Sequence, residues 1–405
     1  MKNTFGKQEF AVVLVSLLRQ GAMVLSVVLS QIAAEFNQIP VTYIKILVSV
    51  NTIAIFPTLF LADRITAKLG LRKTVLLGAM LIIIGGAMPF FLYNYALIFF
   101  SRIVLGFGMG LLTPLSATVV TDNYEGEMKT RLIGMRTTAA NAGNMLLSLF
   151  SGLLIGLGLG WRWAMLSYLV GVPAWLFMLW FLPKDVKKET KDSPDREQMR
   201  ADHPAQERSS IFTVGLVYYT ILMIMLIIFS SSMNMNISLY LSENRIGSGS
   251  TASILSMLLQ FASSISSLML TWVVSTFKRN TIPVSFIVQA AGILICALSN
   301  SLLGVILGTF VCGLGTGVSL TTVILRASES APLGKATLGV SVVSAGIYIG
   351  QLASPVIIDF LSSALLAGNA RSCMLVGGCA LLITAVLGAV FANVLRPGGY
   401  LPADG

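Results

Sequence analysis

The sequence predicts an all-α integral membrane protein with twelve transmembrane helices in two six-helix bundles related by pseudo-two-fold symmetry. Composition is the first observation: 55% of the 405 residues are hydrophobic, only 11% are charged, and the mean hydropathy is +0.84. Soluble domains carry about 25% charged residues. The apolar runs are also continuous rather than alternating, which excludes a β-barrel, so helices must satisfy the backbone within lipid.

Each predicted span is an apolar run close to the length of about 20 residues that crosses the hydrocarbon core. The twelve predicted spans cover residues 10–34, 42–62, 74–93, 96–120, 132–157, 163–182, 211–241, 251–276, 281–299, 301–325, 337–363 and 372–395.

A hydrophilic segment divides the spans into two groups of six. Between Pro183 and Ser210 the composition changes to Lys, Asp, Glu, Gln, Ser and Pro, which is typical of a solvated tether. The predicted organisation is an N-terminal bundle over 1–183, a cytoplasmic linker over 184–210, a C-terminal bundle over 211–396 and a cytoplasmic tail over 397–405.

Glycine spacing repeats between the fourth span and the tenth. The two runs are Arg102-x3-Gly106-x-Gly108-x-Gly110 and Thr309-x3-Gly313-x-Gly315-x-Gly317. Paired six-span halves are typical of transporters built by duplication. Arg102 interrupts an apolar run, and a cation there costs roughly 2.5–3.5 kcal/mol on insertion scales. We therefore expect it to face a cavity of the protein.

The basic residues predict the orientation. With the N-terminus inside, twenty lysines and arginines fall on the cytoplasmic side, against four at the other face or its edge. Those four are Lys45, Arg162, Arg245 and Arg371. The net charge of +10 thus reports topology and does not indicate a nucleic-acid partner. We predict a multi-pass protein of a bacterial cytoplasmic membrane, with both termini inside.

Enzyme chemistry is not indicated by any motif. The sequence lacks Ser/His/Asp, metal-ligand and phosphate-loop constellations, and its four cysteines lie within predicted spans without ligand spacing. We predict no enzymatic activity and no cofactor or metal, with the proton gradient as driving force. The expected partners are a small-molecule substrate and the lipid bilayer, and the expected state is a monomer.

Three segments of the sequence resemble conserved stretches of the major facilitator superfamily, and the resemblance covers nearly the whole chain. Arg102 followed by Gly106 and Gly108 is similar to the family's motif B. Residues 63–73 resemble motif A, and the Gly-Trp-Arg-Trp run of 160–163 is similar to a stretch common in the twelve-span branch. The resemblance implies two bundles that alternate access to a central cavity.

Motif A departs from the family pattern at its acid. Ala67 stands where the family has Asp, and Asp63 stands one turn earlier on the same helical face. We expect Asp63 to replace the gating acid; a plain charge at the membrane boundary is the alternative. The remaining residues of the expected cytoplasmic gate are Lys68, Gly70, Arg72 and Lys73.

The fifth span resembles motif C of drug/proton antiporters in part. The glycine spacing is kept in Gly134, Gly143 and Gly152, but Leu147 and Ser148 occupy the Gly-Pro position. The pattern is nearest to the drug-antiporter branch, with motifs A and C both degenerate.

By resemblance, spans one, four, seven and ten line the cavity, while spans five, eight and eleven meet across the halves. The candidate substrate-binding residues are Arg19, Gln20, Arg102, Asn141, Asn144, Ser231, Asn234, Thr316 and Tyr348. For the uncharged members, hydrogen bonding between helices, at about 0.6 kcal/mol on average, is the alternative role.

Proton coupling requires a carboxylate near the membrane. Glu35 closes the first span at a depth similar to that of Arg102, and we predict that the two pair as the coupling site.

The leading functional prediction is a secondary transporter that performs proton-coupled efflux of small, partly lipophilic compounds. The alternative is an organic-anion transporter that uses Arg19 and Arg102, because a positive cavity repels lipophilic cations. A non-transporting membrane receptor or scaffold is the third reading.

Overall fold

Long apolar helices dominate the computed structural model, which describes residues 6–18, 24–123, 126–183, 213–330 and 336–395. Eleven of the described helices are long and apolar enough to cross a membrane. The first predicted span is described in three pieces, and residues 19–23 within it lie outside the described ranges. The predicted all-helical membrane fold is confirmed.

The N-terminal half consists of α1 to α6. Their bounds are Lys7–Leu18, Val24–Val27 and Leu29–Glu35 for α1, Val41–Ser49 and Asn51–Leu69 for α2, Leu71–Ala87 with the 3₁₀ turn Met88–Phe90 for α3, Tyr95–Asn123 for α4, Gly126–Gly156 for α5, and Trp161–Ala164, Met165–Val170 and Gly171–Phe181 for α6.

The C-terminal half consists of α7 to α12. Their bounds are Val214–Glu243 for α7, Gly249–Leu268 and Leu270–Phe277 for α8, Thr281–Leu298 for α9, Leu302–Glu329 for α10, Ala336–Leu365 for α11 and Ala370–Leu395 for α12.

The helix ends alternate between two faces of the molecule. We call the face with residues 70, 183, 213 and 278–280 the linker face, because the linker begins and ends there. The opposite face, with residues 36–40, 91–94, 157–160, 244–248, 299–301 and 366–369, is the far face. Side-chain oxygens cap two helix starts: Thr213 accepts from the Leu216 amide, and Ser301 accepts from the Gly304 amide.

The repeated glycines take equivalent positions in the two halves. Gly106 and Gly110 pack against α2, whereas Gly108 packs against α3; Gly313 and Gly317 pack against α8, whereas Gly315 packs against α9. At these positions the neighbouring backbone or side chain leaves no space for a Cβ. The sequence repeat therefore reports a repeated packing arrangement around α4 and α10.

The halves meet through α1, α2 and α5 on one side and α7, α8 and α11 on the other. The expected meeting of the fifth, eighth and eleventh spans with the opposite half is thus found. The interface between the halves is where the candidate site lies.

Candidate functional site at the interface of the two halves

Polar contacts close the interface at the far face. The Ser238 hydroxyl of α7 donates to the Val27 carbonyl of α1 over 2.9 Å, and lies 2.9 Å from the Ser30 hydroxyl. Farther in, the Asn141 amide of α5 donates to the Ser264 hydroxyl of α8 over 3.0 Å. The structure therefore represents a conformation that is closed toward the far face.

A buried ion pair also joins the two halves. Lys45 Nζ of α2 lies 2.6 Å from Asp359 Oδ1 of α11, and the Thr42 hydroxyl donates to the other carboxylate oxygen over 2.7 Å. Only 4% of the Lys45 side chain and 14% of the Asp359 side chain are exposed. Because a buried charge requires a partner, each of these residues holds the other at the interface.

A thiol of α12 completes this cluster. Cys373 Sγ lies 3.7 Å from Lys45 Nζ, 3.5 Å from Asp359 Oδ1 and 3.2 Å from the Ser362 hydroxyl. Cys373 is fully buried. We therefore expect the thiol to become exposed to water when the ion pair separates.

The pairing of Lys45 is not predicted from the sequence, in which Lys45 is one of four basic residues assigned to the outer face or its edge. The sequence does contain a signal for a buried cation at this position. Lys45 interrupts the apolar run of residues 44–50, just as Arg102 interrupts the apolar run of the fourth span. Asp359 is not among the site residues predicted from the sequence.

Arg102 is buried, as expected, but inside the N-terminal half. Its guanidinium donates to the carbonyls of Gly86 over 3.2 Å and Gly85 over 3.5 Å on α3, and to the Tyr168 hydroxyl on α6 over 3.5 Å. These partners do not belong to the interface between the halves. The expectation that Arg102 faces the central cavity is therefore wrong for this structure. Gly85 allows the α4 backbone to pack against α3, and Gly86 allows the Tyr168 ring to do so, which brings the guanidinium within reach of both carbonyls.

Glu35 does not pair with Arg102. Its carboxylate accepts from Trp161 Nε1 over 2.6 Å and forms an ion pair with Arg162, both at the start of α6. Arg162 also donates to the Leu92 carbonyl over 2.7 Å. The predicted Glu35–Arg102 pair is wrong, because Arg102 turns toward α3 and α6 while α6 itself supplies the partner of Glu35.

Two asparagines lie near the middle of α5, and one of them contacts the other half. Asn141 contacts α8 through Ser264, and Asn144, less than one turn farther along α5, is 4% exposed. The Asn144 Oδ1 atom has no hydrogen-bond partner among the described residues. A buried amide oxygen without a partner is costly, and a substrate donor would satisfy it.

The other uncharged candidates are placed as follows. Ser231 and Asn234 share the helical face of Ser238, which contacts α1. Ser231 is buried and donates to the Ile227 carbonyl. Thr316 is half-buried and donates to the Cys312 carbonyl. Tyr348 is half-buried on α11, and Arg19 and Gln20 lie outside the described residues.

The expected gate lies at the linker face. Gly70 ends α2 with φ of +86°, which suits glycine, and Arg72 donates to the Leu179 carbonyl of α6 over 2.5 Å. Lys68 and Lys73 are exposed. The side chain of Asp63 lies outside the described part of the chain, so its gating role stays a prediction.

The spaced glycines of α5 face two different partners. Gly143 packs against the Leu17 carbonyl of α1, whereas Gly152 packs against Ser253 of α8 in the other half. A Cβ at Gly152 would lie 2.6 Å from the Ser253 Cβ. The third glycine of the series, Gly134, lies where side-chain surroundings are not described. Gly152 therefore permits close approach of the halves at the far face.

Solved structures share this fold. The chain superimposes on a D-xylose-proton symporter with a TM-score of 0.72 and 16% identity, covering 94% of this chain and 96% of the symporter. For a peptide transporter, POT, the TM-score is 0.76 at 13% identity, with 99% and 97% of the chains covered. For the nucleoside transporter NupG, the TM-score is 0.73 at 12% identity, with 95% and 99% covered.

Sequence comparison identifies the family. No curated protein matches the sequence. The family model of the Major Facilitator Superfamily matches twice, over residues 11–247 and 220–404, and so spans both halves. The chain therefore belongs to the major facilitator superfamily and is a membrane transporter rather than an enzyme.

Proposed function

We propose that this transporter exports small, partly lipophilic, uncharged compounds in exchange for protons. The linker face is cytoplasmic in this proposal, because basic residues concentrate there. Export is supported by motif B together with the spaced glycines of α5, which are similar to those of drug/proton antiporters. Proton coupling is supported by the Lys45–Asp359 pair, the single observation that carries the proposal.

The position of this ion pair suits a coupling site. Opening the far face separates α2 from α11 and exposes both charges to water. A proton taken up at Asp359 removes the charge that attracts Lys45, which lowers the cost of opening. The carboxylate can pair with Lys45 again only after that proton has left, so protonation and opening of the far face become linked.

The substrate class is argued from the side chains near the middle of α5. Asn141 and Asn144 offer hydrogen bonds without charge, and the free Asn144 Oδ1 suits a donor on the substrate. The organic-anion alternative depends on Arg19 and Arg102. Because the guanidinium of Arg102 donates to Gly85 and Gly86, that alternative depends on Arg19 alone.

Transport in proteoliposomes tests the proposal. A panel of uncharged, cationic and anionic aromatic compounds is loaded, and efflux is followed with and without an imposed pH gradient, acidic at the far face. Wild type should export uncharged compounds faster with the gradient, and Asp359→Asn should lose this acceleration. Glu329→Gln is the matched control, since Glu329 is an exposed carboxylate that pairs with Arg326 within one helix.

Two outcomes would overturn the proposal. If wild-type flux is the same with and without the pH gradient, transport is not coupled to protons. Selective transport of anions that is abolished by Arg19→Gln favours the organic-anion alternative.

A further inference from the structure

A cavity of about 220 Å³ lies inside the C-terminal half near the linker face. It is partly open and lies between α7, α9 and α12, which line it with Tyr219, Phe286 and Thr384, among other residues. The contact of α12 with the other half, between Cys373 and Lys45, lies at the far face. The residues of α12 that line the cavity are near the linker face, so the cavity is separate from the contacts that close the far face.

The pseudo-symmetry identifies the equivalent place in the N-terminal half. Arg162 at the start of α6 donates to the Leu92 carbonyl after α3, and Arg371 at the start of α12 donates to the Ala297 carbonyl at the end of α9. These arginines therefore occupy equivalent positions. The thirteenth residue after the first is Trp175, and the thirteenth after the second is Thr384.

The equivalent place is filled in the N-terminal half. The Trp175 indole crosses from α6 to α3 and donates to the Leu76 carbonyl over 2.9 Å. On α9 the position equivalent to Leu76 is Pro283, because Gly85 and Gly292 make matching contacts with α4 and α10. Pro283 lines the cavity. Replacement of an indole by a threonine thus leaves open in one half the space that is packed in the other.

The walls select the chemistry of a ligand. Phe286 and Ala385 form an apolar interior, whereas the exposed Asn280 and Asn393 supply amide groups at the rim. None of the described lining residues is charged. Clefts for drug-sized ligands measure about 300–1,000 Å³, so this one suits a smaller molecule.

We propose that this cavity is a binding site for a small, uncharged aromatic molecule that carries a hydrogen-bonding group. The ring occupies the space that Trp175 fills in the other half, and its polar group points to the asparagines at the rim. The helix α7 carries both Tyr219, which lines the cavity, and Ser238, which makes the far-face contact. A ligand bound in the cavity therefore contacts the same helix that closes the opposite face.

Binding of radiolabelled 2-naphthol to the purified protein in nanodiscs tests this site, independently of transport. Saturable binding is expected for wild type. Thr384→Trp, which introduces the residue of the N-terminal half, should weaken binding by about tenfold or more, equivalent to about 1.4 kcal/mol. Thr384→Val keeps the space open and should bind nearly as well as wild type. Ala389→Phe, a second filling variant on the cavity wall, should also weaken binding.

The controls separate the site from partition into lipid. The anion 2-naphthoate should bind much more weakly than 2-naphthol, and each variant must elute as a monodisperse protein with unchanged helix content. The proposal is overturned if no saturable binding occurs, if both filling variants bind like wild type, or if the anion binds equally well. Those results leave lipid partition or another site as the explanation, whatever the outcome of the transport assay.

Discussion

Lys45 and Asp359 form an ion pair across the two halves, with 2.6 Å between Nζ and Oδ1 and at most 14% of either side chain exposed. Neither residue has a partner of opposite charge on its own helix among the described ion pairs. The pair therefore joins α2 to α11 at the far face, and it can form only when that face is closed.

Breaking this pair should destabilise the closed conformation. Removal of one partner from a buried ion pair costs about 3–5 kcal/mol, because the other charge stays buried. Asp359→Asn and Lys45→Met should each lower the thermal unfolding temperature, and the double variant Lys45→Met/Asp359→Leu should recover most of the loss. Glu329→Gln, which breaks an exposed pair within one helix, should cost only about 0.3–0.5 kcal/mol.

Cys373 provides a native reporter of the same event. Its thiol is fully buried beside Lys45 and Asp359, so a membrane-impermeant maleimide should label it slowly in a Cys379→Ala background. Asp359→Asn should raise the labelling rate, because the far face opens more often. An unchanged rate would show that the pair does not hold this face closed.

Glu35→Gln tests which of two carboxylates, Glu35 or Asp359, couples transport to protons. Glu35 accepts from Trp161 and Arg162, which belong to its own half, so its protonation does not bear on a contact between the halves. We expect Glu35→Gln to retain proton-driven flux and to lower thermal stability modestly. The measurement is efflux with and without the pH gradient. Loss of the gradient effect in Glu35→Gln, with retention in Asp359→Asn, would return the coupling role to Glu35.

Arg102→Ala should affect folding more than substrate recognition. Arg102 donates to the carbonyls of Gly85 and Gly86 and to Tyr168, and a hydrogen bond to a charged group contributes about 1.5–3 kcal/mol. We expect less folded protein and a lower unfolding temperature, with transport per folded molecule nearly unchanged. Tyr168→Phe removes one weak contact and serves as the mild control. A selective loss of substrate affinity in Arg102→Ala would contradict this role.

The helices and their pairing could be predicted from local sequence, whereas charge pairing could not. Apolar length predicts a span, and the spaced glycines predict close packing, because both depend on residues near one another in the chain. The partner of Arg102 depends instead on which helix lies within reach of its guanidinium, and α3 places the carbonyls of Gly85 and Gly86 there. Lys45 and Asp359 are 314 residues apart, so no spacing rule brings them together.

The two buried cations illustrate the same limit. Arg102 and Lys45 each interrupt an apolar run, and the cost of burial predicts that each has a partner. The sequence does not distinguish a cation that braces one bundle from a cation that joins two. Only the positions of α3, α6 and α11 make that distinction.

Gly152 offers a steric test of far-face closure that does not depend on charge. A Cβ at Gly152 would lie 2.6 Å from the Ser253 Cβ of α8, whereas a Cβ at Gly156, one turn farther along α5, would lie 3.7 Å from the Ser250 Cβ. Gly152→Ala should therefore push α5 and α8 apart and raise the labelling rate of Cys373, while slowing transport. Gly156→Ala makes an ordinary van der Waals contact and should leave both rates near those of wild type.

Because neither substitution alters a charge, faster labelling in Gly152→Ala alone would show that packing and the Lys45–Asp359 pair close the same face. Equal labelling in both variants would mean that α5 and α8 can separate without exposing the ion pair.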